Sequence, residues 1–211
     1  MGIINSLLQM KNLFTFCAVV LMALGANAQL NNWYVGGIAG FSSTSSDDNN
    51  NTKSSSWAFG PEVGVGIGEN WSVGLVLGIN GSKVKNDDGD ISSTFMFMPD
   101  IYGRRWWTMG DRLKLFAGLD VTFGSGNTTL YDFPLPGSDT KTDMSAFGVN
   151  LNSGIAYSMA ERWTLLFKLA GVGYDSSTTG DNTDNTFWLL GDGNVTNGNF
   201  LFVGVYYTFM Q

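Results

Sequence analysis

Histidine is absent from the sequence, and charged residues are scarce. Only 14% of the 211 residues are charged, against about 25% in an ordinary soluble domain. Without histidine the chain lacks the usual general base of hydrolases that work through a catalytic triad. We therefore expect no enzymatic activity and no catalytic residues.

Cysteine is nearly absent as well. Cys17 is the only one, and it lies in an apolar stretch over residues 13–24. Lys11 precedes this stretch, and an Ala-Asn-Ala sequence that ends at Ala28 follows it, which is the pattern of a cleavable secretory signal. We expect residues 1–28 to be removed, which leaves a mature domain over residues 29–211 without disulfide chemistry.

Long hydrophobic runs are missing after the signal. No uninterrupted apolar segment reaches the roughly 20 residues that a membrane helix needs. Glycine is abundant instead, with 28 residues, and the mean hydropathy is +0.03. If the mature chain crosses a membrane, strands must make the crossing.

Basic residues are too few for a nucleic-acid partner. With Lys11 removed, 10 basic residues remain against 18 acidic ones, whereas nucleic acids attract basic surfaces. Most acidic residues fall between the strands proposed below, where water can solvate them. The acidic segment 86–90 could hold a divalent cation, but it lacks the spacing and distal glutamate of a calcium loop. We expect neither a metal nor a cofactor.

Eight segments alternate between apolar and small or polar residues, with the apolar residues at odd-numbered positions. The clearest is the segment 71–80, WSVGLVLGIN. Each is about the 9 to 11 residues that a tilted strand needs to cross a bilayer. The eight segments are Trp33–Phe41, Trp57–Ile67, Trp71–Asn80, Phe95–Trp107, Leu113–Phe123, Phe147–Tyr157, Trp163–Gly173 and Leu201–Phe209.

Aromatic residues mark both ends of the apolar face. We call the first group the turn-side girdle; its members are Trp33, Trp71, Trp107, Tyr157, Trp163 and Tyr207. The second group is the loop-side girdle, formed by Phe41, Trp57, Phe95, Phe123 and Phe147. Two aromatic girdles around an aliphatic band are favoured at the two interfaces of a membrane. They indicate an apolar outer surface rather than a soluble barrel with an apolar interior.

The connections alternate between short and long. Residues 68–70, 109–111 and 158–162 form short turns, whereas residues 42–56, 81–93, 124–143 and 175–197 form longer polar loops. Short periplasmic turns and long extracellular loops are typical of an outer-membrane barrel. The sequence therefore predicts an all-β fold, an eight-stranded antiparallel up-and-down transmembrane β-barrel.

The last predicted strand lies in an aromatic segment, residues 200–209, FLFVGVYYTF. Together with the signal and the other strands, it makes the chain resemble the small outer-membrane barrels of the OmpA transmembrane-domain and OmpX type, in particular those of Bacteroidota. The resemblance covers the whole mature chain. It implies a Gram-negative outer-membrane location, contact with outer-membrane lipid, and recognition of the last strand by the barrel-assembly machinery. The enzymes among such barrels use a histidine as base, which this chain lacks.

Three functions follow from these patterns. The favoured one is a non-enzymatic barrel that contributes to envelope integrity or to interaction and adhesion through its loops. A narrow solute channel is the alternative, although side chains can fill a barrel of eight strands. A lipid-modifying envelope enzyme is the second alternative and is disfavoured by the missing histidine.

The lumen is one candidate site. Parity places six charged residues inside the barrel: Glu62, Asp100, Arg104, Lys114, Asp120 and Lys168. If residues 109–111 form a three-residue turn, Asp100 lies directly across from Asp120, and facing carboxylates repel. We expect Arg104, then Lys168, to neutralise them, so that the charges form a structural plug.

Two loop stretches are less polar than their surroundings and are candidate patches for an extracellular partner. They comprise Leu130, Tyr131, Phe133 and Leu135 in one loop, and Phe187, Trp188, Leu189 and Leu190 in another.

Overall fold

Strands make up almost all of the part of the chain that the computed structural model describes, which is residues 32–46, 51–87, 89–131, 139–189 and 203–209. No helix within these ranges is long and apolar enough to cross a membrane. The expected signal, residues 1–28, lies outside them. The strands are β1 (Trp33–Ser46), β2 (Thr52–Ile67), β3 (Trp71–Asn86), β4 (Gly89–Thr108), β5 (Leu113–Leu130), β6 (Thr140–Ser158), β7 (Trp163–Thr179), β8 (Asn182–Leu189) and β9 (Val203–Phe209).

The strands form a closed antiparallel ring. Each of β1 to β7 pairs with the next strand along the chain, and β9 closes the ring between β7 and β1. One edge of β7 pairs with β6; its other edge pairs with β9 near residue 163 and with β8 above residue 171. Because β8 and β9 share this edge, the ring has eight positions. The predicted eight-stranded up-and-down barrel is confirmed.

Outward and inward faces follow the predicted parity. Within the predicted segments of β1 to β6, odd-numbered residues face outward and include exposed Trp71, Leu119 and Leu151, which are 51%, 47% and 56% exposed. Even-numbered Tyr102 and Phe116 face inward, where each is 2% exposed. A surface so rich in large apolar side chains requires an apolar solvent, and the two girdles lie at its two ends.

Strands extend well into the segments that the sequence predicted as long loops, so those predicted boundaries were wrong. β5 and β6, for example, remain paired up to Leu130 and Thr140, and β3 and β4 up to Asn86 and Gly89. Beyond the membrane both faces of a hairpin are solvated, so the alternation that marks a membrane strand disappears. Serine and threonine still pair there, because the ladder is made by backbone groups.

A β-bulge on β7 reverses the predicted parity. Gly154 pairs with Lys168 while its neighbour Ser153 pairs with Ala170, so that Leu169 is the extra residue. An inserted residue turns every following side chain to the opposite face. The prediction that odd positions face outward throughout segment 163–173 was therefore wrong above Leu169, where Val172 faces outward.

The short turns lie at one end of the barrel and the β-hairpins at the other. Gly68 begins the β2–β3 turn with φ 65°, and Gly180 begins the β7–β8 turn with φ 59°, a conformation that glycine adopts at little cost.

An epitope tag inserted at Thr183, on the long-hairpin end, should bind antibody on intact cells, whereas a tag at Asn70, in a short turn, should bind only after the outer membrane is permeabilised. Antibody binding in the reverse pattern would show that the barrel is oriented the other way.

Candidate functional site: a charged centre in the lumen

Glu62 lies at the centre of the lumen, and its side chain is 0% exposed. Its Oε1 accepts hydrogen bonds from Tyr102 and, at 2.8 Å, from Nη1 of Arg104. Its Oε2 accepts a hydrogen bond from Tyr206 at 2.7 Å. Three donors thus replace the water that a carboxylate loses on burial.

Glycines on neighbouring strands make room for the tyrosine rings that surround Glu62. A Cβ atom at Gly74 would overlap the Tyr102 ring, and one at Gly36 the Tyr206 ring. Tyr34 joins the same cluster through a hydrogen bond of 2.6 Å between its hydroxyl group and that of Tyr102. Inward glycines therefore let large polar rings fill a narrow barrel.

Arg104 fills the space beside Glu62. Its side chain is 1% exposed, and its Cζ lies 3.8 Å from the centroid of the Tyr102 ring and 5.5 Å from that of Phe116. The aromatic faces stabilise the cation, since the negative face of a ring attracts a guanidinium group. The ion pair with Glu62 is thus enclosed by rings.

A second ion pair lies on the β5, β6 and β7 side of the lumen. Nζ of Lys168 is 3.1 Å from Oδ2 of Asp120, and Asn152 donates a hydrogen bond to the same oxygen. The side chains of Lys168 and Asp120 are 18% and 4% exposed. This pair is therefore more open to solvent than the Glu62 pair.

The predicted pairing of the charges needs correction. The last β4–β5 pair is Thr108 with Lys114, which leaves five residues, 109–113, between the paired strands instead of three, so Asp100 lies across from Thr122 and Asp120 across from Tyr102. Arg104 contacts Glu62 rather than bridging two aspartates. Oδ1 of Asp100 is buried without a hydrogen-bond partner among the described residues.

Lys114 does not join the lumen charges, contrary to the sequence prediction. It is the second residue of β5 and is exposed at the turn-side end of the strand. As an even-numbered residue it points inward, but the turn-side end of the barrel is open to solvent. Among the predicted lumen charges, Glu62, Asp120 and Arg104 are therefore buried, and Asp100 and Lys168 are partly buried.

The sequence prediction considered only charged residues and so did not identify the polar partners of the lumen charges. These partners are Tyr34, Tyr102, Tyr206 and Asn152. All four occupy even-numbered positions on strands with inward even parity, which was the available signal. What the sequence did not show is which hydroxyl or amide group reaches which carboxylate, because that depends on strand stagger.

The candidate loop patches divide into described and undescribed residues. Phe133, Leu135 and Leu190 lie outside the described residues. Leu130 ends β5 and is 51% exposed, and the backbone N–H of Tyr131 donates to the carbonyl oxygen of Ile91 at 3.0 Å.

Residues 187–189 lie in β8 and not in a polar loop, so the predicted loop boundary was wrong. Phe187 and Leu189 pair with Tyr174 and Val172 on the outward face and are 73% and 68% exposed. Trp188 faces inward and donates a hydrogen bond to Asp175 at 2.7 Å. Outward apolar residues at this position extend the lipid-facing surface.

The segment considered for a divalent cation forms the tip of the β3–β4 hairpin. The Asn86 side chain accepts a hydrogen bond from the backbone N–H of Gly89 at 3.0 Å. Among the residues with described positions, no group of three or more His, Cys, Asp or Glu could hold a metal ion.

Removing Arg104 should be costly because Glu62 would keep its buried charge without a cation. We expect Arg104→Leu to lower the free energy of unfolding by about 3 to 5 kcal/mol, measured by urea titration of the barrel in lipid vesicles. Adding Glu62→Gln should recover part of this loss, whereas adding Asp100→Asn should not, since Asp100 does not contact Arg104.

Lys83→Leu provides the matched control. Lys83 forms an exposed ion pair of 2.5 Å with Asp90 on the β3–β4 hairpin, and its hydrogen bond lowers the pKa of Asp90. An exposed pair contributes little to stability, so this variant should unfold almost as the wild type does. If Arg104→Leu unfolds at the wild-type urea concentration too, the centre is solvated and not a buried plug.

Comparison with known proteins gives the family. No curated protein matches the chain in sequence. Among solved structures, neisserial surface protein A shares 14% identity at a TM-score of 0.45, covering 84% of this chain and 96% of that one. The Ail attachment invasion locus protein of Yersinia pestis shares 10% at 0.42, covering 84% and 97%.

Outer membrane protein W of E. coli shares 14% identity at a TM-score of 0.46, with 86% of this chain and 100% of that one covered. The family model of the outer membrane protein beta-barrel domain matches residues 14–209. This match spans nearly the whole chain and agrees with the closed antiparallel ring. The chain therefore belongs to the outer membrane protein β-barrel domain family.

Proposed function

We propose that this outer-membrane β-barrel is a non-enzymatic, non-conducting scaffold that holds rigid β-hairpins at the cell surface. Through these hairpins it would bind an extracellular partner or support the integrity of the envelope. The observation that carries the proposal is the filled lumen, in which Glu62 and Arg104 are 0% and 1% exposed.

A filled lumen disfavours the alternative of a solute channel. An ion or solute that passed the centre would have to displace Arg104 from Glu62 and move the tyrosine rings that hold both. Separating a buried pair leaves two charges without compensation, which is strongly unfavourable. Eight strands also leave little more room than their own side chains need.

The hairpins support a role in display. Beyond the loop-side girdle, β5 and β6 pair as far as Leu130 and Thr140, and threonine hydroxyl groups form cross-strand contacts of 3.0 Å between Thr94 and Thr128 and between Thr178 and Thr183. Paired strands fix the positions of the side chains that they carry. Such surfaces lose less conformational entropy on binding a partner than unstructured loops do.

The barrel-assembly machinery would recognise β9, the strand that closes the ring against β1. The lipid-modifying alternative is disfavoured by the absence of histidine from the sequence, and a lipid A mass profile that is identical with and without the protein would agree with a non-enzymatic role.

Single-channel recording tests the non-conducting scaffold. Wild-type barrel in a planar lipid bilayer should show no stable conductance steps, because the ion pair and its rings close the lumen. The double variant Glu62→Ala, Arg104→Ala removes the plug while conserving net charge, and it should conduct if it folds. Steady wild-type conductance that a lumen substitution such as Tyr102→Ala alters would instead favour the channel.

A further inference from the structure

One charged side chain interrupts the lipid-facing surface. Between the two girdles, the outward positions of the described strands are apolar, small or uncharged, with Arg105 on β4 as the only charge. A charge on the lipid face of a barrel is unfavourable, and least so close to an interface. We therefore expect the guanidinium group of Arg105 to have a partner in the membrane.

Two tryptophans of the turn-side girdle flank Arg105. Trp71 is its direct cross-strand partner, and Trp107 lies two residues along the same face. The Cζ of Arg105 is 5.5 Å from each of the two ring centroids. Trp71 and Trp107 are 51% and 43% exposed, so the three side chains form an open cluster on the barrel exterior.

Cation–π contacts leave the in-plane N–H donors of a guanidinium group available. No carboxylate of the described residues forms an ion pair with Arg105. The other exposed arginines differ in position: Arg112 lies in the turn beyond the girdle, and Arg162 donates a hydrogen bond to Tyr207 at 2.9 Å. Of the four arginines, only Arg105 lies on the lipid-facing surface with guanidinium N–H donors that no described carboxylate accepts.

Headgroup phosphates are the anions present at the depth of an aromatic girdle. The guanidinium fork matches two phosphate oxygens at once, and tryptophan is favoured at the same depth. We propose that Arg105, flanked by Trp71 and Trp107, binds the phosphate group of a phospholipid in the leaflet on the short-turn side. This site would anchor the barrel in register with that leaflet, and it depends neither on the hairpins nor on a closed lumen.

Solid-state NMR can detect the contact directly. The barrel, labelled with ¹³Cζ-arginine, is reconstituted in phosphate-free buffer into vesicles of phosphatidylethanolamine and phosphatidylglycerol. Dipolar dephasing of ¹³Cζ by ³¹P then reports an arginine close to a lipid phosphate. We expect one dephased arginine signal, lost in Arg105→Gln and retained in the matched turn variant Arg112→Gln.

Two further samples complete the test. Arg105→Lys provides a folded variant of unchanged charge, and retention of a single bound phospholipid in native mass spectrometry should fall at least several-fold in it, because an ammonium group lacks the planar fork. Vesicles of a phosphorus-free glycolipid with added inorganic phosphate should give no dephasing. Dephasing that persists in Arg105→Gln, or that free phosphate produces equally well, would overturn the proposal.

Discussion

Pairing of backbone groups is the constraint on which the rest of this structure depends. In a hydrocarbon environment every N–H and C=O must find a partner within the protein, so a sheet has to close on itself. Here the closing contact is β9, which pairs with β1 through Trp33 and Phe209 and with β7 through Trp163 and Tyr207. Closure separates an outside from an inside, and the alternation of apolar and small residues follows from it. The bulge at Leu169 shows how strictly the alternation sets the two faces, since one added residue exchanges the two faces of β7.

Closure with eight strands creates a second requirement, because the enclosed space must be filled. The chain meets it with large polar rings placed over glycines, and the hydroxyl groups of Tyr102 and Tyr206 are directed at one carboxylate. Glu62 is tolerated in the interior because its donors and the Arg104 cation replace hydration. The filled centre of the lumen follows from this packing, and it supports the proposed surface scaffold rather than a pore.

Sequence patterns predicted the fold and the faces of the strands well, since parity requires no knowledge of neighbours. Trp71 and Leu119 faced outward as expected, and Glu62 and Arg104 inward. Prediction failed where the outcome depended on stagger: two extra residues between the paired ends of β4 and β5 moved Asp120 from Asp100 to Tyr102. It failed again beyond the loop-side girdle, where Ser and Thr pair without alternating hydrophobicity, and at residues 187–189, which lie in β8 and not in a loop. Lys114 had the inward parity but lay too near the strand end to be enclosed.

Hydrogen exchange at the arginine side chains tests the sealed centre most directly. The chain has four arginines, Arg104, Arg105, Arg112 and Arg162, and their Nε–H groups can be followed by NMR after the folded barrel in micelles is transferred to D₂O. If the centre is sealed, the Arg104 signal should persist long after the other three have exchanged, because Tyr102 and Phe116 exclude water from its guanidinium group. Loss of the Arg104 signal together with the others would show that water reaches the centre and would contradict the closed lumen.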